Sequence, residues 1–489
     1  MERMKGLDFP LFAAGLAAVL SGAGCRTTRE VLDDYEMNYA RGAYEEASKE
    51  VSELAAEEDD SQLMYGLLAA SALRNFGADA SANILLDRAE DVMVGYDTES
   101  AFASGAHGAM AMMTNDRAFP YDGGGQDRVF TCLYKAINYA AAGDSAAART
   151  EFNRAEQYQE NWLWQRRKDI SAAQERLDEE AAEYAKENKS DSGDSGKIAK
   201  GVLANKDFCA QLEENLGYDA AKSGDLDRLH PSDWTNPYAS HVMGVFRWIN
   251  GDPVGNCLRD SAQYRRDCKT AAADSNMQRK GETPSDTVWV WVEDGLCPMR
   301  KEWRIDLPIV LIPYANKYIL YAGMAFPKLE YRQTGANGWT VMTSGENVNM
   351  EELADIDKLI KLEYDVYLRG ALTREITRTV VKIGAQVALG IAADNTNDWR
   401  VELALRASQA GVAAWALSTT AADERSWTAL PKRVLVGKVR RPADGKIVIV
   451  ADGGTVAEVV LPEGNSMVFV TKPAPGAAAA VKTANFPNR

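Results

Sequence analysis

The chain has 489 residues, enough for two to four domains, and hydrophobic residues make up 46% of it, ample for well-filled cores. The formal net charge is −16, and an acidic surface gains little from counterion release on nucleic acid, which excludes a general nucleic-acid role. The local basic cluster Lys432, Arg433, Lys438, Arg440 and Arg441 runs against that charge and reads as a solvated strand pair rather than an anionic-ligand site.

The first 24 residues have the form of an export signal, with Arg3 and Lys5, an apolar run from Leu11 to Leu20, and small residues Ser21–Gly24 before Cys25. The apolar run falls well short of the roughly 20 residues that span a bilayer. Small residues ending in a cysteine predict a lipoprotein, diacylated at Cys25, although Gly22 stands where such signals usually carry leucine. Arg26 follows the cysteine. Where aspartate at that position retains lipoproteins at the inner membrane, its absence points to the outer membrane, facing the periplasm. With Cys25 assigned to lipid, Cys132, Cys209, Cys257, Cys268 and Cys297 remain. This odd number cannot all pair within one chain, and Cys257 with Cys268 is the closest candidate pair.

Residues 25–188 carry a recurring helix-turn-helix signature. Gly42-Ala-Tyr-Glu-Glu-Ala47, Gly77-Ala-Asp-Ala-Ser-Ala82 and Gly143-Asp-Ser-Ala-Ala-Ala148 each place a glycine five residues before an alanine. The glycines are 35 and then 66 residues apart, close to one and two repeats of about 34. Glycine permits a left-handed exit from the first helix, and the alanine opens a second helix where packing leaves no room for more. Apolar residues Val129, Cys132, Leu133, Ala136, Ile137 and Ala140 share one helical face. The spacing predicts tetratricopeptide (TPR)-like pairs, with a Gly- and Met-rich stretch over 95–127 and a long polar helix from Glu151 to about Lys189. A polar linker over 189–200 follows, then a further helical pair over 201–285 with its turn at Gly251-Asp-Pro253.

From 286 to 489 the pattern predicts a mixed domain. Thr287–Val292 and Ile309–Pro313 read as strands, and Ala354–Gly370 as interrupted helix. Leu372–Ala393 and Trp399–Leu417 form a helical hairpin, and the chain closes on strands at Arg433–Val439, Lys446–Val450, Val456–Val460 and Met467–Thr471. The fold class expected is α+β. TPR-like helical repeats precede a mixed C-terminal domain of strands and a helical hairpin.

Four segments resemble a known family, the poorly characterised TPR-containing bacterial lipoproteins often encoded beside penicillin-binding-protein activator lipoproteins. Tyr134–Tyr139 through Gly143-Asp144 to Ala148-Arg149 is similar to its central repeat. Asn236-Pro-Tyr238 with Gly244 and Gly251-Asp252 resembles its second helical pair, and Glu293–Arg300 its strand-turn motif. Arg374, Arg378 and Lys382, followed by Asp423, Arg425-Ser-Trp427 and Leu430-Pro431, resemble its C-terminal helix and closing strands. The resemblance implies a cell-envelope setting and a link to peptidoglycan synthesis or its regulation, and it transfers no activity.

The residues themselves offer little chemistry. His107, His230 and His241 sit in dissimilar contexts, and the sequence lacks zinc-protease, serine-hydrolase and phosphate-loop motifs. No cofactor or metal site is expected. Asp394-Asn-Thr-Asn-Asp398 lacks the glycine and closing glutamate of a calcium loop and reads as a helix connection. Arg374, Arg378 and Lys382 fall at i, i+4 and i+8, so they share a helical face and form a candidate docking ridge for an acidic partner. Glu293 and Arg300 flank a Gly/Pro turn and are placed to form a local ion pair. The functional expectation is a non-enzymatic scaffold that binds envelope proteins, cell-wall synthesis machinery among them, and is held to the membrane by its N-terminal lipid. The alternatives are an envelope hydrolase and a structural membrane–wall tether.

Overall fold

The structure is a computed structural model, and it describes residues 28–56, 61–99, 116–118, 120–161, 205–218, 234–306 and 321–488. The signal, Cys25, the linker over 189–200, His107, His230 and the strand expected at Ile309–Pro313 lie outside the described residues.

Helices come first in chain order. They are α1 (Thr28–Arg41), α2 (Tyr44–Ser52), α3 (Gln62–Phe76), α4 (Asp79–Glu99), α5 (Gly125–Ala141) and α6 (145–161). Gly42, Gly77 and Gly143 sit between α1 and α2, α3 and α4, and α5 and α6, all with φ near +80° to +90°. The Schellman-type exit at Gly77 shows what this conformation does: Gly77 and Ala78 donate their N–H groups to Arg74 and Leu73 carbonyls. Ala47, Ala82 and Ala148 are fully buried in the second helix of each pair. Next come α7 (Lys206–Leu216), α8 (Pro237–Asn250), α9 (Cys257–Tyr264) and α10 (Lys269–Arg279). Asn236 caps α8 through its side chain, and Pro237 opens it with a preset φ.

The remainder is a mixed α/β region, and the chain as a whole is α+β. Its strands are β1 (Thr287–Asp294), β2 (Met299–Asp306), β3 (Gly323–Glu330), β4 (Trp339–Met342), β5 (Asn347–Asn349) and β6 (Glu351–Asp355), followed after two helices by β7 (Arg433–Arg440), β8 (Lys446–Ala451), β9 (Gly454–Val460), β10 (Asn465–Lys472) and β11 (Ala480–Phe486). They form a five-stranded sheet ordered β11-β10-β1-β7-β6, a four-stranded sheet ordered β5-β4-β8-β9 and the hairpin β2-β3. In the hairpin β8-β9, Asp452 and Gly453 both take positive φ, the turn that matches strand twist.

Central strand β1 is parallel to β10 and antiparallel to β7, and its two faces are buried differently. Trp289 and Trp291 point into a core shared with α1 to α6 and α8 to α10, whereas Val288, Val290 and Val292 pack against Trp339, Val341, Ile447 and Ile449 of the second sheet. This period-2 division explains why the run Val-Trp-Val-Trp-Val lacks polar residues: both faces are covered. The helical core continues into Leu353, Val434, Met467 and Phe486, so one hydrophobic core crosses residue 286.

Two helices close the element list. Helix α11 (Ile356–Asp394) is a single helix of 39 residues, not the interrupted helix expected over Ala354–Gly370 with a separate one from Leu372, and α12 (Trp399–Thr419) returns along it. Glycine inside a helix costs only about 1 kcal/mol, which packing of Leu368, Leu372, Ile376 and Ile383 against β2, β3 and α7 readily offsets. By length and composition α11 could cross a bilayer, but here its inward face is packed and ion-paired.

Candidate functional site

The expected docking ridge is not a surface. Arg374 and Arg378 both bind Asp116, at 2.6 and 2.8 Å, and Arg378 also meets Glu375 at 3.1 Å. Arg378 is 1% exposed, and Lys382 is buried with its ammonium donating to Thr419 Oγ1 at 3.0 Å. Spacing places the three cations on one face, but that face continues the buried stripe of α11. Asp116, far upstream in sequence, neutralises two of them, and its own carboxyl is held well below the ordinary range by those arginines despite burial. Arg374, Arg378 and Lys382 therefore do not form a docking surface.

Glu293 and Arg300 do not pair either. Glu293, on β1, accepts from both terminal nitrogens of Arg74 on α3 at 3.1 and 3.3 Å, from Tyr238 Oη at 3.0 Å and from Thr471 Oγ1 at 2.8 Å. The Arg74 guanidinium lies 3.9 Å from the centre of the Tyr134 ring. Nearby, Trp427 Nε1 donates to Ser71 Oγ at 2.8 Å. These contacts pin the helical pairs to the sheet. Arg300 instead stacks over Tyr367 at 5.0 Å and donates to the Arg425 carbonyl.

His241 belongs to a second buried network. Trp291 donates its indole N–H to His241 Nδ1 at 3.2 Å, so Nε2 is the nitrogen that carries the proton toward Asp274 Oδ2 at 3.1 Å. Trp289 and Lys438 also donate to Asp274, at 2.9 and 2.5 Å. Both indoles come from β1, both polar partners from α8 and α10, and these four side chains are fully buried, with Lys438 of β7 partly exposed. It is an arrangement that orients a helix layer on a sheet.

Among the described residues, Glu90, Cys132 and Glu151 bring three metal-type donor atoms within 4.8 Å of one another. The ammonium of Lys135 already lies among them, 2.5 Å from Glu90 and 2.9 Å from Glu151. Burial pushes the Cys132 thiol up, with Glu90 adding to the effect, so it is a poor source of thiolate. The chemistry of this donor set fits a lysine-centred charge cluster joining α4, α5 and α6. The five cysteines other than Cys25 are free thiols, so the candidate pair Cys257 and Cys268 is not a disulfide. Burial raises their thiols to about 12 and about 11. Asp394–Asp398 connects α11 to α12: Asp398 caps α12 and Asp394 pairs with Arg406.

An open polar site lies elsewhere, where β6 runs into α11 and meets the chain entering β7. Tyr331, Glu352, Asp355, Asp357, Lys358, Lys361, Lys432 and Arg433 are among the residues that line a cleft of about 420 Å³. The elements explain the assembly. Asp355 ends β6 and caps α11 by accepting from the Lys358 N–H, and the N–H groups of Ile356 and Asp357 are taken by the Lys432 carbonyl. Asp357 Oδ2 pairs with the Lys432 ammonium, while Asp357 Oδ1 is buried with no hydrogen-bond partner among the described residues. Burial pushes the Asp357 carboxyl up to about 6, against the pull of Lys432.

That shift predicts a pH signature. A carboxyl with a raised folded-state pKa binds its proton more tightly in the folded state. Its contribution is therefore full below about pH 4, lost between about 4 and 6, and flat above. Asp357→Asn should remove this part of the slope, and urea midpoints at pH 4.5 and 7.5 should show wild type losing about 2 kcal/mol more than the variant. By sequence alone Lys432 and Arg433 read as part of a solvated strand pair. What the fold brings against them is the acidic start of α11, Asp355-Ile-Asp357-Lys358.

A second recess of about 390 Å³ lies between α1 and the turn at 473–475, lined by Met37, Ala40, Leu296, Arg332 and Pro475. On the outside of the α11–α12 hairpin, Leu403, Ala407, Ala410, Ala414 and Leu417 are all exposed. Trp399, at the start of α12, is 68% exposed.

No protein-family model, curated protein or solved structure matches the chain.

Proposed function

We propose that this chain is a membrane-anchored cell-envelope lipoprotein that acts as a protein-binding scaffold, with its partners in peptidoglycan synthesis or its regulation. The observation that carries the scaffold reading is the outer stripe of α12. Its five exposed apolar residues recur at spacings of four and three, the heptad pattern that seats one helix against another. The opposite side, with Gln409, Ala413 and Ala416, is already packed on α11. A continuous apolar stripe left in water costs free energy and marks an interaction surface.

The remaining support is residue by residue. Three positive-φ glycines, each followed five residues later by a buried alanine, support the TPR-like reading of the helical pairs. The start of α1 at Thr28, just after Cys25, supports a body held close to its anchor. Export, lipidation and the peptidoglycan link rest on the signal-like N-terminus and the family resemblance.

A photo-crosslinking residue at position 410, compared with one at buried position 413, tests the scaffold. Position 410 should give a defined adduct with an envelope protein in native membranes, and Leu403→Glu should abolish it. Adducts no stronger than at position 413 would overturn the reading. Intact-mass measurement of membrane-extracted protein, beside a Cys25→Ala form, tests the anchor: an acylated N-terminal Cys25 is expected.

A further inference from the structure

The cleft at the start of α11 presents two unlike needs a few residues apart. Asp357 lines it and is 8% exposed, and Oδ1 has no hydrogen-bond partner among the described residues although Oδ2 is held by Lys432. A buried carboxylate oxygen without a donor is a costly arrangement, and native proteins normally satisfy it. Such an oxygen calls for a donor, and a positively charged one suits a carboxylate best. On the wall, Lys358 and Lys361 stand on the first two turns of α11, whose N-terminal end carries partial positive charge. Lys361 is paired with Asp365, whereas Lys358 has no ion-pair partner within 4 Å among the described residues. Its exposed ammonium is open to an anion set in the cleft.

Inorganic phosphate would meet only the cations, and a simple amine only Asp357. A molecule with an ammonium and a carboxylate meets both. A volume of about 420 Å³ falls within the range of roughly 300–1,000 Å³ usual for small-ligand clefts, with room for an amino acid or a dipeptide. The half-exposed Tyr331 ring, with the Lys432 ammonium 5.7 Å from its centre, offers an apolar face for a small side chain.

We infer that this cleft binds a small zwitterion, an amino acid or a short peptide with free ends, whose ammonium meets Asp357 and whose carboxylate meets Lys358 and Lys361. The site is independent of the α12 surface, so the two readings stand or fall separately.

The test is a calorimetric and NMR titration of the whole mature chain with the dipeptide Ala-Ala. N-acetyl-Ala-Ala, Ala-Ala-amide and inorganic phosphate serve as the other probes. Saturable binding of Ala-Ala is expected, with each blocked form weaker by about tenfold or more, the size expected for loss of one charge-assisted hydrogen bond. Asp357→Asn should abolish binding. Lys358→Ala, at an exposed position that the fold does not need, should weaken it by about tenfold. The inference is overturned by no saturable signal up to about 10 mM Ala-Ala. It is equally overturned if phosphate or the acetylated dipeptide binds as well as Ala-Ala, or if Lys358→Ala leaves binding unchanged.

Discussion

Glu293→Ala should destabilise the protein by roughly 3–5 kcal/mol, the cost typical of removing one partner from a buried ion pair. Arg74 and Glu293 are 3% and 1% exposed, so the guanidinium left behind has no route to bulk water. Its remaining neighbours are the Tyr134 ring and Asn75 Oδ1 at 3.4 Å, neither of which carries a compensating charge. The same change strips acceptors from Tyr238 and Thr471, two further donors that would then be buried without partners. Arg74→Met should cost less, because Glu293 would keep those two hydroxyl donors and the apolar side chain could still lie on Tyr134. The double change Arg74→Met with Glu293→Leu should recover the part of the loss that comes from the orphaned guanidinium, since an apolar pair avoids the desolvation of both ions, while Tyr238 and Thr471 still lack their acceptor. Urea unfolding of the three variants checks the order. A double variant no more stable than Glu293→Ala would show that the cost lies in packing and not in the orphaned charge.

Gly42→Ala should cost roughly 2–5 kcal/mol, against about 1–2 kcal/mol for Gly77→Ala or Gly143→Ala. All three glycines take positive φ, so each substitution carries the same left-handed penalty. The surroundings differ. A Cβ on Gly77 or Gly143 would meet nothing within 4 Å, whereas one on Gly42 would lie 2.7 Å from the Ala478 carbonyl oxygen and 2.8 Å from its nitrogen. Ala478 is held there from both sides, donating its N–H to the Arg41 carbonyl and accepting from Tyr44 Oη. A methyl group at 42 must therefore push away the segment that leads into β11. Thermal midpoints should rank Gly42→Ala lowest, and amide exchange should accelerate in β11 for that variant alone. Equal midpoints for the three would mean that the close approach at Ala478 carries no energetic weight.

The three glycines also mark how far sequence reading reaches. Each turn was legible because a left-handed exit and the alanine that follows it depend on residues within about one helical turn. The same holds for the α11–α12 hairpin and for β7, β8 and β10, where local periodicity is enough. Strands β2 to β6 and β11 were not legible. β4, β5 and β6 span only three to five residues, and Met299–Asp306 mixes charge on both faces, so alternation never becomes a signal. For the candidate site, the acidic start of α11 and the basic pair at 432–433 were each visible, but not their meeting.

Length, charge, the turn positions and the α+β order of elements follow from the chain alone, since each rests on composition or on neighbours a few residues apart. Which faces are covered does not. Arg378 meets Asp116 across 262 positions and Arg74 meets Glu293 across 219, so the same spacing that could describe an exposed ridge describes a buried ion-paired seam. Helical or strand periodicity tells which side chains share a face. Only the packing of distant segments tells whether that face meets water, a carboxylate or another layer of the core, because burial is a property of what arrives from elsewhere in the chain.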